Sequence, residues 1–288
     1  ALLLSIRRKS QLGIRDRPTV LAVRRMMRYP YLFKGNARVI ARSSSSPRCI
    51  ISMAAFTEAM IKLNRSLNIQ RHSTPGDMEF IMKHSEEASD LEKKDAPWRK
   101  RYASAKDSLT RSEATAVHLS NDPATRTHLP DLMRHIYDNA IDVQDVDGIE
   151  DDVLSIFEPE DLYNQWKSSN YQMYVCHANS PDGTGAGPRS SVNLLSEIIN
   201  TADEAIAGNR QAAADLRFGH DTALLRLIAL MGVEGADASV KGFEAASKAW
   251  QMQNLTPMGA NLQLTFLRNK DGEVITMLRL NERPVRIN

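Results

Sequence analysis

Residues 214–232, ADLRFGHDTALLRLIALMG, hold the junction that decides the fold of this chain. Residues 216–218 alternate like a short strand, and the apolar residues within 224–231 recur at helical spacing. His220 and Asp221 therefore lie in a strand-to-helix turn. In an α/β fold such a turn lies at the carboxyl end of a strand, where the unpaired N–H groups of a helix N-terminus favour an anion. The pattern predicts an imidazole and a carboxylate placed to act on a phosphate.

The same two residues also fit a purely structural role. Asp221 is an ordinary type of N-cap for the helix that follows, and His220 could be a hydrogen-bonded turn residue. The pair alone does not decide between the two interpretations, so a second stretch of sequence is needed.

Length and charge exclude several classes of protein. The 288 residues suffice for one large domain or two ordinary ones, and the net charge of +2 does not indicate a nucleic-acid partner. The basic segment 1–30 lacks interleaved stacking aromatics, which also argues against nucleic acid. No apolar run approaches the roughly 20 residues of a membrane span. The start at 1–4 is too short for a signal-peptide core, so we expect no export signal within these residues.

The cysteines and acidic residues do not predict a metal site. Cys49 and Cys176 fit neither a disulfide framework nor a zinc site; a single bridge stays open, although each is more typical of a small buried hydrophobe. Within the acidic run, Asp145 and Asp147 have the spacing of the middle of a calcium loop. Its first and last ligand positions would fall on Val143 and Leu154, so we expect a solvated face and no metal.

A second strand-to-helix turn precedes the first in the chain. Residues 36–42 predict a short strand, and a helical pattern runs from 51 to 63. The turn between them carries four serine hydroxyls, Pro47 near the helix start, and Arg48. Arg is the side chain best matched to phosphate, because its planar fork gives charge-assisted bidentate bonds. The alternative is a serine-rich loop with a solvated arginine.

The two turns together resemble a known family. ARSSSSPRCIISMAAF at 41–56, followed by LRFGHDTALLRLIALMG at 216–232, is similar to the histidine acid phosphatases, most closely their multiple inositol polyphosphate phosphatase and phytase branch. The resemblance implies that Arg48 binds the scissile phosphate. It implies further that His220 binds the phosphate and Asp221 donates a proton. Arg42 and Ser46 of the serine-rich turn are the other residues that we expect to bind the substrate.

The resemblance covers residues 21–288 and implies an α/β fold. The expected architecture is a phosphoglycerate-mutase-like three-layer core with a mostly parallel sheet, an antiparallel C-terminal edge and a helical insertion. Two alternating segments around residues 269–272 predict the antiparallel hairpin. We expect the core in residues 1–75 and 177–288, and the helical insertion in residues 76–176.

Two further segments carry predictions. The basic cluster at Arg99, Lys100 and Arg101 could meet outer phosphates of a polyanionic substrate, but a solvated helix surface is the more usual role of such a run. The glycine-rich stretch 180–188 predicts a flexible loop rather than a phosphate-cradling one, because no Gly-Lys-Ser/Thr follows it.

One departure from the family is serious. Its nucleophile lies in an Arg-His-Gly-x-Arg-x-Pro motif that this sequence lacks; the closest triplets are Arg71-His72-Ser73 and Arg134-His135-Ile136. The simplest interpretation is an amino-truncated or frame-disrupted product with little or no turnover. A rival is a non-catalytic module that binds phosphorylated ligands. A third reading, an unrelated helical protein with chance motifs, predicts that Arg48 and His220 lie far apart.

For an intact relative the resemblance implies phosphomonoester hydrolysis through a phosphohistidine. The substrate class is a small polyanionic phosphate ester such as inositol hexakisphosphate. No cofactor and no metal are expected, since arginines carry the charge that magnesium carries elsewhere. The same resemblance implies a periplasmic or secreted location.

Overall fold

The computed structural model describes residues 15–82, 85–120, 122–124, 128–143 and 152–288. Within them the helices are α1 (Arg17–Arg28), α2 (Pro47–Leu63), α3 (Pro75–Ile81), α4 (Glu86–Glu92), α5 (Pro97–Thr110), α6 (Glu113–Leu119), α7 (Leu129–Val143), α8 (Pro159–His177), α9 (Ala186–Arg189), α10 (Val192–Ile206), α11 (Asp221–Leu230), α12 (Phe243–Ala249) and α13 (Met252–Leu255). The strands are β1 (Arg38–Ser43), β2 (Asn68–His72), β3 (Ala214–Phe218), β4 (Leu262–Arg268), β5 (Val274–Leu280) and β6 (Arg283–Pro284).

A parallel sheet of order β2-β1-β3 forms the centre of the fold. Its register places Arg42 of β1 opposite His72 of β2 and Arg217 of β3. All three strands run in the same direction, so their carboxyl ends meet at one edge of the sheet. The loops that follow β1, β2 and β3 therefore lie side by side, as an α/β fold requires of a ligand site.

Helices cover both faces of this sheet. On one face Val39 packs with Phe56 and Met60 of α2, and α1 adds to the same apolar cluster. On the other face Asp77 at α3 and Glu197 of α10 approach the sheet. The arrangement is the predicted three-layer α/β core.

The antiparallel hairpin is confirmed, but it belongs to a second sheet. β4 pairs with β5 over their full lengths, and β5 pairs with β6. In the described residues no hydrogen-bonded ladder joins these strands to the parallel sheet. The hairpin is held instead by side chains of the α1 end, where Tyr29 lies 3.2 Å from Thr265 Oγ1 and accepts a hydrogen bond from Arg279. The expected antiparallel edge is thus a separate sheet.

The helical segment between β2 and β3 shares a core with the C-terminal part of the chain. Tyr171 and Tyr174 of α8 pack in one cluster with Ile228 of α11 and Trp250. Because this cluster spans both parts, each stabilises the other by apolar burial. The division into a core and a separate insertion at 76–176 stays a prediction.

A buried arginine also joins the two parts. Arg226 of α11 donates to Glu92 Oε1 of α4 at 2.8 Å and to His177 Nδ1 of α8 at 3.0 Å. Its side chain is 2% exposed, so both partners are needed to compensate its desolvation.

The prediction of a flexible loop at 180–188 is wrong. Residues Pro181–Gly183 form a 3₁₀ turn, and α9 begins at Ala186. The carboxylate of Asp182 is fully buried and accepts hydrogen bonds from Tyr171 at 2.7 Å and Tyr102 at 3.1 Å. A Cβ on Gly183 would collide with a backbone carbonyl of α8, so this glycine serves close packing rather than flexibility.

Three sequence predictions meet different outcomes. The calcium-like run at 145–147 lies outside the described residues. Cys49 and Cys176 are both free and buried, so the open question of a bridge is answered. No helix in the described part of the chain has the length and apolar character that crossing a membrane requires.

Candidate functional site

Two helices begin side by side at the carboxyl edge of the parallel sheet. β1 leads through its serine turn into α2, and β3 leads through Gly219 and His220 into α11. Ser46 and His220 are the N-caps, both with extended backbone, and neither side chain caps its own helix. Phe56 of α2 packs edge-on against Phe218 of β3, with ring centroids 5.6 Å apart, which fixes α2 beside the turn that carries His220.

Arg48 and His220 meet across this edge. The Arg48 Nη2 atom lies 2.8 Å from His220 Nδ1, although 172 positions separate the two residues in sequence. Arg48 is exposed and His220 is half-buried. The third reading of the sequence, an unrelated helical protein with these residues far apart, is therefore wrong.

Two buried side chains lie on the other side of the His220 ring. Ser44 Oγ is 3.4 Å and Cys49 Sγ 3.8 Å from His220 Nε2. The Cys49 thiol donates to the carbonyl oxygen of Gly219 at 3.3 Å. Ser44 is fully buried and its N–H donates to the carbonyl of Phe218 at 3.0 Å. The ring is therefore held from both of its nitrogens.

The electrostatics of the site favour a neutral ring and a bound anion. Burial lowers the pKa of His220, the nearby charge of Arg48 lowers it further, and Asp221 opposes the shift. The positive ends of α2 and α11 add to the guanidinium charge. An anion at this edge would meet one full positive charge together with the partial positive charge of two helix N-termini.

Asp221 is the first residue of α11 rather than its cap. Its side chain is exposed, and its Oδ1 accepts a hydrogen bond from the N–H of Thr222 at 2.9 Å. The structural interpretation in the sequence made Asp221 the N-cap; in the structure His220 occupies that position. The carboxyl thus stands next in the chain to the ring that contacts Arg48.

Arg42 and Ser46 have different surroundings. Arg42 lies 3.6 Å from Asp77 Oδ1 and 3.4 Å from both Glu197 Oε1 and Asp215 Oδ1. Ser46 is half-buried, and its carbonyl accepts the first hydrogen bonds of α2. No hydrogen bond links either residue to His220 within the part of the chain described here. The structure therefore brings Arg48, His220 and Asp221 together and gives Arg42 carboxylate partners.

Sequence reasoning missed Ser44 and Cys49. Both belong to the motif at 41–56, but the run of four serines does not indicate which hydroxyl lies beside His220. A strand-period count could have placed Ser44 on the side away from Ser43. Nothing local to Cys49 indicates that it approaches a ring 171 positions later.

Two of the three residues in the basic cluster at 99–101 contact other parts of the protein. Arg101 pairs with the buried Asp182, and the Arg99 guanidinium lies 4.6 Å from the centroid of the Trp98 ring. Lys100 is exposed. No group of three or more metal-ligating side chains is found among the described residues.

Solved structures share this fold. The multiple inositol polyphosphate phosphatase of Bifidobacterium longum in complex with inositol hexasulfate aligns with a TM-score of 0.68 at 15% identity, over 98% of this chain and 74% of that one. Its complex with phosphate gives a TM-score of 0.67 at 15% identity, over 98% and 75%. The phytase of D. castellii gives 0.62 at 17% identity, over 98% and 61%.

The sequence itself is matched by one family. No curated protein is significantly similar to it. The histidine phosphatase superfamily (branch 2) matches residues 22–281, a span that includes both strand-to-helix turns and the hairpin. With the shared fold and a match over most of its length, the chain belongs to branch 2 of the histidine phosphatase superfamily.

Proposed function

We propose that this chain is a phosphomonoester hydrolase whose substrates are inositol polyphosphates or similar phosphate esters. The observation that carries the proposal is the contact between Arg48 and His220, which lie at the N-termini of two helices. The Arg48 Nη2 and His220 Nδ1 atoms are 2.8 Å apart. Branch 2 membership and two neighbours of the same fold, one named an inositol polyphosphate phosphatase and one a phytase, support it.

Arg48 would bind the phosphate. Its guanidinium is exposed and always charged, so it can turn from the neutral imidazole to a dianion and donate two parallel hydrogen bonds to equatorial oxygens. His220 would contribute a further N–H once Arg48 has released its Nδ1. Phosphoryl transfer depends mainly on positioning and on charge stabilisation, and these two side chains supply both.

Asp221 would act on the leaving group. In the reaction an imidazole nitrogen bonds to phosphorus, the ester P–O bond breaks, and the Asp221 proton passes to the departing alkoxide; water then cleaves the N–P bond. General-acid help of this kind contributes about 10²–10⁴-fold. Asp221 is exposed beside His220, where a leaving group can reach it.

The mechanism also needs a nucleophilic imidazole. The sequence contains no Arg-His-Gly triplet. His72 is exposed at the end of β2, on the same sheet edge as the two turns. Among the described histidines we propose His72 for this role, and replacing it tests the assignment.

The missing triplet favours a second candidate function. A chain that keeps Arg48 and His220 but lacks a nucleophile would bind phosphate esters without turnover. Both candidates require anion binding at the same edge, so one pair of measurements separates them.

The experiment combines phosphate release with calorimetry on the 288-residue chain. Release from inositol hexakisphosphate that Arg48→Ala, Asp221→Asn and His72→Ala each reduce at least tenfold supports the hydrolase with His72 as nucleophile. Binding heat that only Arg48→Ala abolishes, without release, supports the binding module. No heat at all with inositol hexakisphosphate or inorganic phosphate overturns both proposals.

The matched control is Arg38→Ala. Arg38 lies in β1, and its guanidinium donates to the neutral Gln70 at the far end of the strand from the site. Release and binding should both stay within twofold of the wild type in this variant.

The compartment is proposed on the family likeness alone. Relatives of this branch suggest a periplasmic or secreted protein. Expression of the full gene with a C-terminal tag, followed by fractionation, tests this; tagged protein confined to the cytosol would contradict it.

A further inference from the structure

The two nitrogens of His220 face chemically different partners. Nδ1 lies 2.8 Å from a guanidinium nitrogen of Arg48. Nε2 lies 3.4 Å from Ser44 Oγ and 3.8 Å from Cys49 Sγ. The first partner can only donate, whereas the hydroxyl and the sulfur can accept.

The Arg48 contact shows which nitrogen of His220 carries the proton. A guanidinium has no lone pair to offer and is not deprotonated in proteins, so Nδ1 must be the acceptor. A neutral imidazole with a lone pair on Nδ1 carries its hydrogen on Nε2. That hydrogen then points to the side of the ring where Ser44 and Cys49 lie.

The side chains at Nε2 are held in place. The Cys49 thiol donates its hydrogen to the Gly219 carbonyl at 3.3 Å, so its sulfur lone pairs can accept a hydrogen bond from Nε2. Ser44 is fixed by its backbone: its N–H donates to the Phe218 carbonyl at 3.0 Å, and its carbonyl accepts from Ser73 Oγ at 3.3 Å. Since Ser44 is also fully buried, its hydroxyl stays beside the ring.

We infer that Ser44 is a positioning residue: it holds His220 in the tautomer with hydrogen on Nε2, assisted by Cys49, and so keeps Nδ1 free for Arg48 or for a proton. Ser44 does not touch the phosphate and acts only through the ring. The inference deepens the proposed function, because the tautomer decides which nitrogen of His220 serves the anion.

A second consequence concerns protons. An anion that takes the Arg48 guanidinium removes the donor from Nδ1 and puts negative charge beside the ring. Both changes favour protonation of Nδ1, so phosphate binding takes up a proton at His220. The charged groups that act on the ring are Arg48 from α2 and Asp221 from α11, and Cys49 is the other titratable group in contact.

The test is long-range ¹H–¹⁵N NMR of the ligand-free protein at pH 8. The protein has seven histidines, and the signal that is missing from the His220→Gln spectrum is that of His220. In the wild type we expect an unprotonated Nδ1 and a protonated Nε2. In Ser44→Ala both nitrogens should move towards the average of the two tautomers.

Ser45→Ala is the matched control, because Ser45 is the adjacent serine and is exposed. Its His220 signals should equal those of the wild type. A wild-type ring protonated on Nδ1 overturns the inference, and so does a Ser44→Ala spectrum identical to that of the wild type. Well-dispersed amide signals in each variant exclude unfolding as the cause.

Inorganic phosphate supplies the second measurement. Phosphate affinity should fall about threefold to tenfold in Ser44→Ala at pH 7 and stay unchanged in Ser45→Ala, with less proton uptake in the first variant. If the wild type binds no phosphate, the proposed function fails while the tautomer result still decides the role of Ser44.

Discussion

Two arginines six positions apart in the same strand and turn lie in opposite environments. Arg42 points to the face of the sheet covered by α3 and α10, where Asp77, Glu197 and Asp215 surround it within 3.6 Å. Arg48 lies past the end of the strand and contacts a neutral ring. The charge of Arg42 is therefore compensated by carboxylates, whereas the charge of Arg48 is available to a ligand.

The acidic face carries further arginines that belong to the same network. Glu197 Oε2 accepts from Arg217 Nε at 2.6 Å, and Asp215 Oδ1 lies 2.5 Å from Arg210 Nη2. The positive and negative charges there balance within the protein. The comparison teaches that two arginines of one phosphate-type motif can differ in how much of their charge is available to a ligand.

The largest expected effect is on anion binding in Arg48→Ala. Loss of two charge-assisted hydrogen bonds should weaken the binding of inositol hexakisphosphate by at least about 100-fold, since each contributes about 1.5–3 kcal/mol. Calorimetry measures the change. Arg48 is exposed, so the melting temperature should remain close to that of the wild type. An affinity within threefold of the wild type would place the anion elsewhere.

The opposite result is expected for Arg42→Ala. Three carboxylates lose their shared cation, and the free energy of unfolding should fall by about 2 kcal/mol, below the 3–5 kcal/mol of a fully buried pair because Arg42 is partly exposed. Urea denaturation measures the loss, with Arg38→Ala as the control. Phosphate affinity should change less than about threefold. A stable Arg42→Ala that no longer binds phosphate would erase the distinction between the two arginines.

A smaller effect concerns the pKa of His220. Arg48→Ala should raise this pKa, because the charge that lowers it is removed, and Asp221→Asn should lower it, because an opposing charge is lost. Arg42→Ala should leave it unchanged. An NMR titration of the ring distinguishes the three variants, and a matching rise in Arg42→Ala would show that both arginines act on the site.

The smallest effect is the pH dependence of stability. The folded-state pKa of His220 lies below its ordinary value of 6.5, so the unfolded chain binds more protons between the two values. The contribution is complete above the unfolded pKa and is lost as the pH falls from there through the lower folded-state pKa. Compared with His220→Gln, the wild type should lose melting temperature as the pH falls below about 6.5. Parallel curves for the two proteins would contradict this.

Local patterns in the sequence predicted the elements that build the site. Alternation at 216–218 and at the two hairpin arms predicted β3, β4 and β5, and helical spacing predicted α2 and α11. These signals depend only on neighbouring residues. They also sufficed to place Arg48 and His220 at strand ends, and parallel topology then brought the two together.

Long-range partners could not be predicted in the same way. Glu197 and Asp215 stand 155 and 173 positions after Arg42, and nothing in the motif indicates that they compensate its charge. The glycines at 180–188 indicated flexibility, yet Gly183 allows a close approach to α8. The local sequence places an arginine at a given position. Whether a carboxylate compensates the charge of that arginine depends on elements far along the chain.

The arginine of α11 that binds Glu92 and His177 has a consequence for how such proteins can diversify. Arg226 lies on α11, six residues after His220, so one helix joins the Glu92 contact to the Arg48–His220 contact within two helical turns. A chimaera with a foreign segment in place of residues 76–176 would have to bring its own acid in place of Glu92. Without that acid, the buried guanidinium of Arg226 would keep His177 as a hydrogen-bond partner but would lose the carboxylate that compensates its charge.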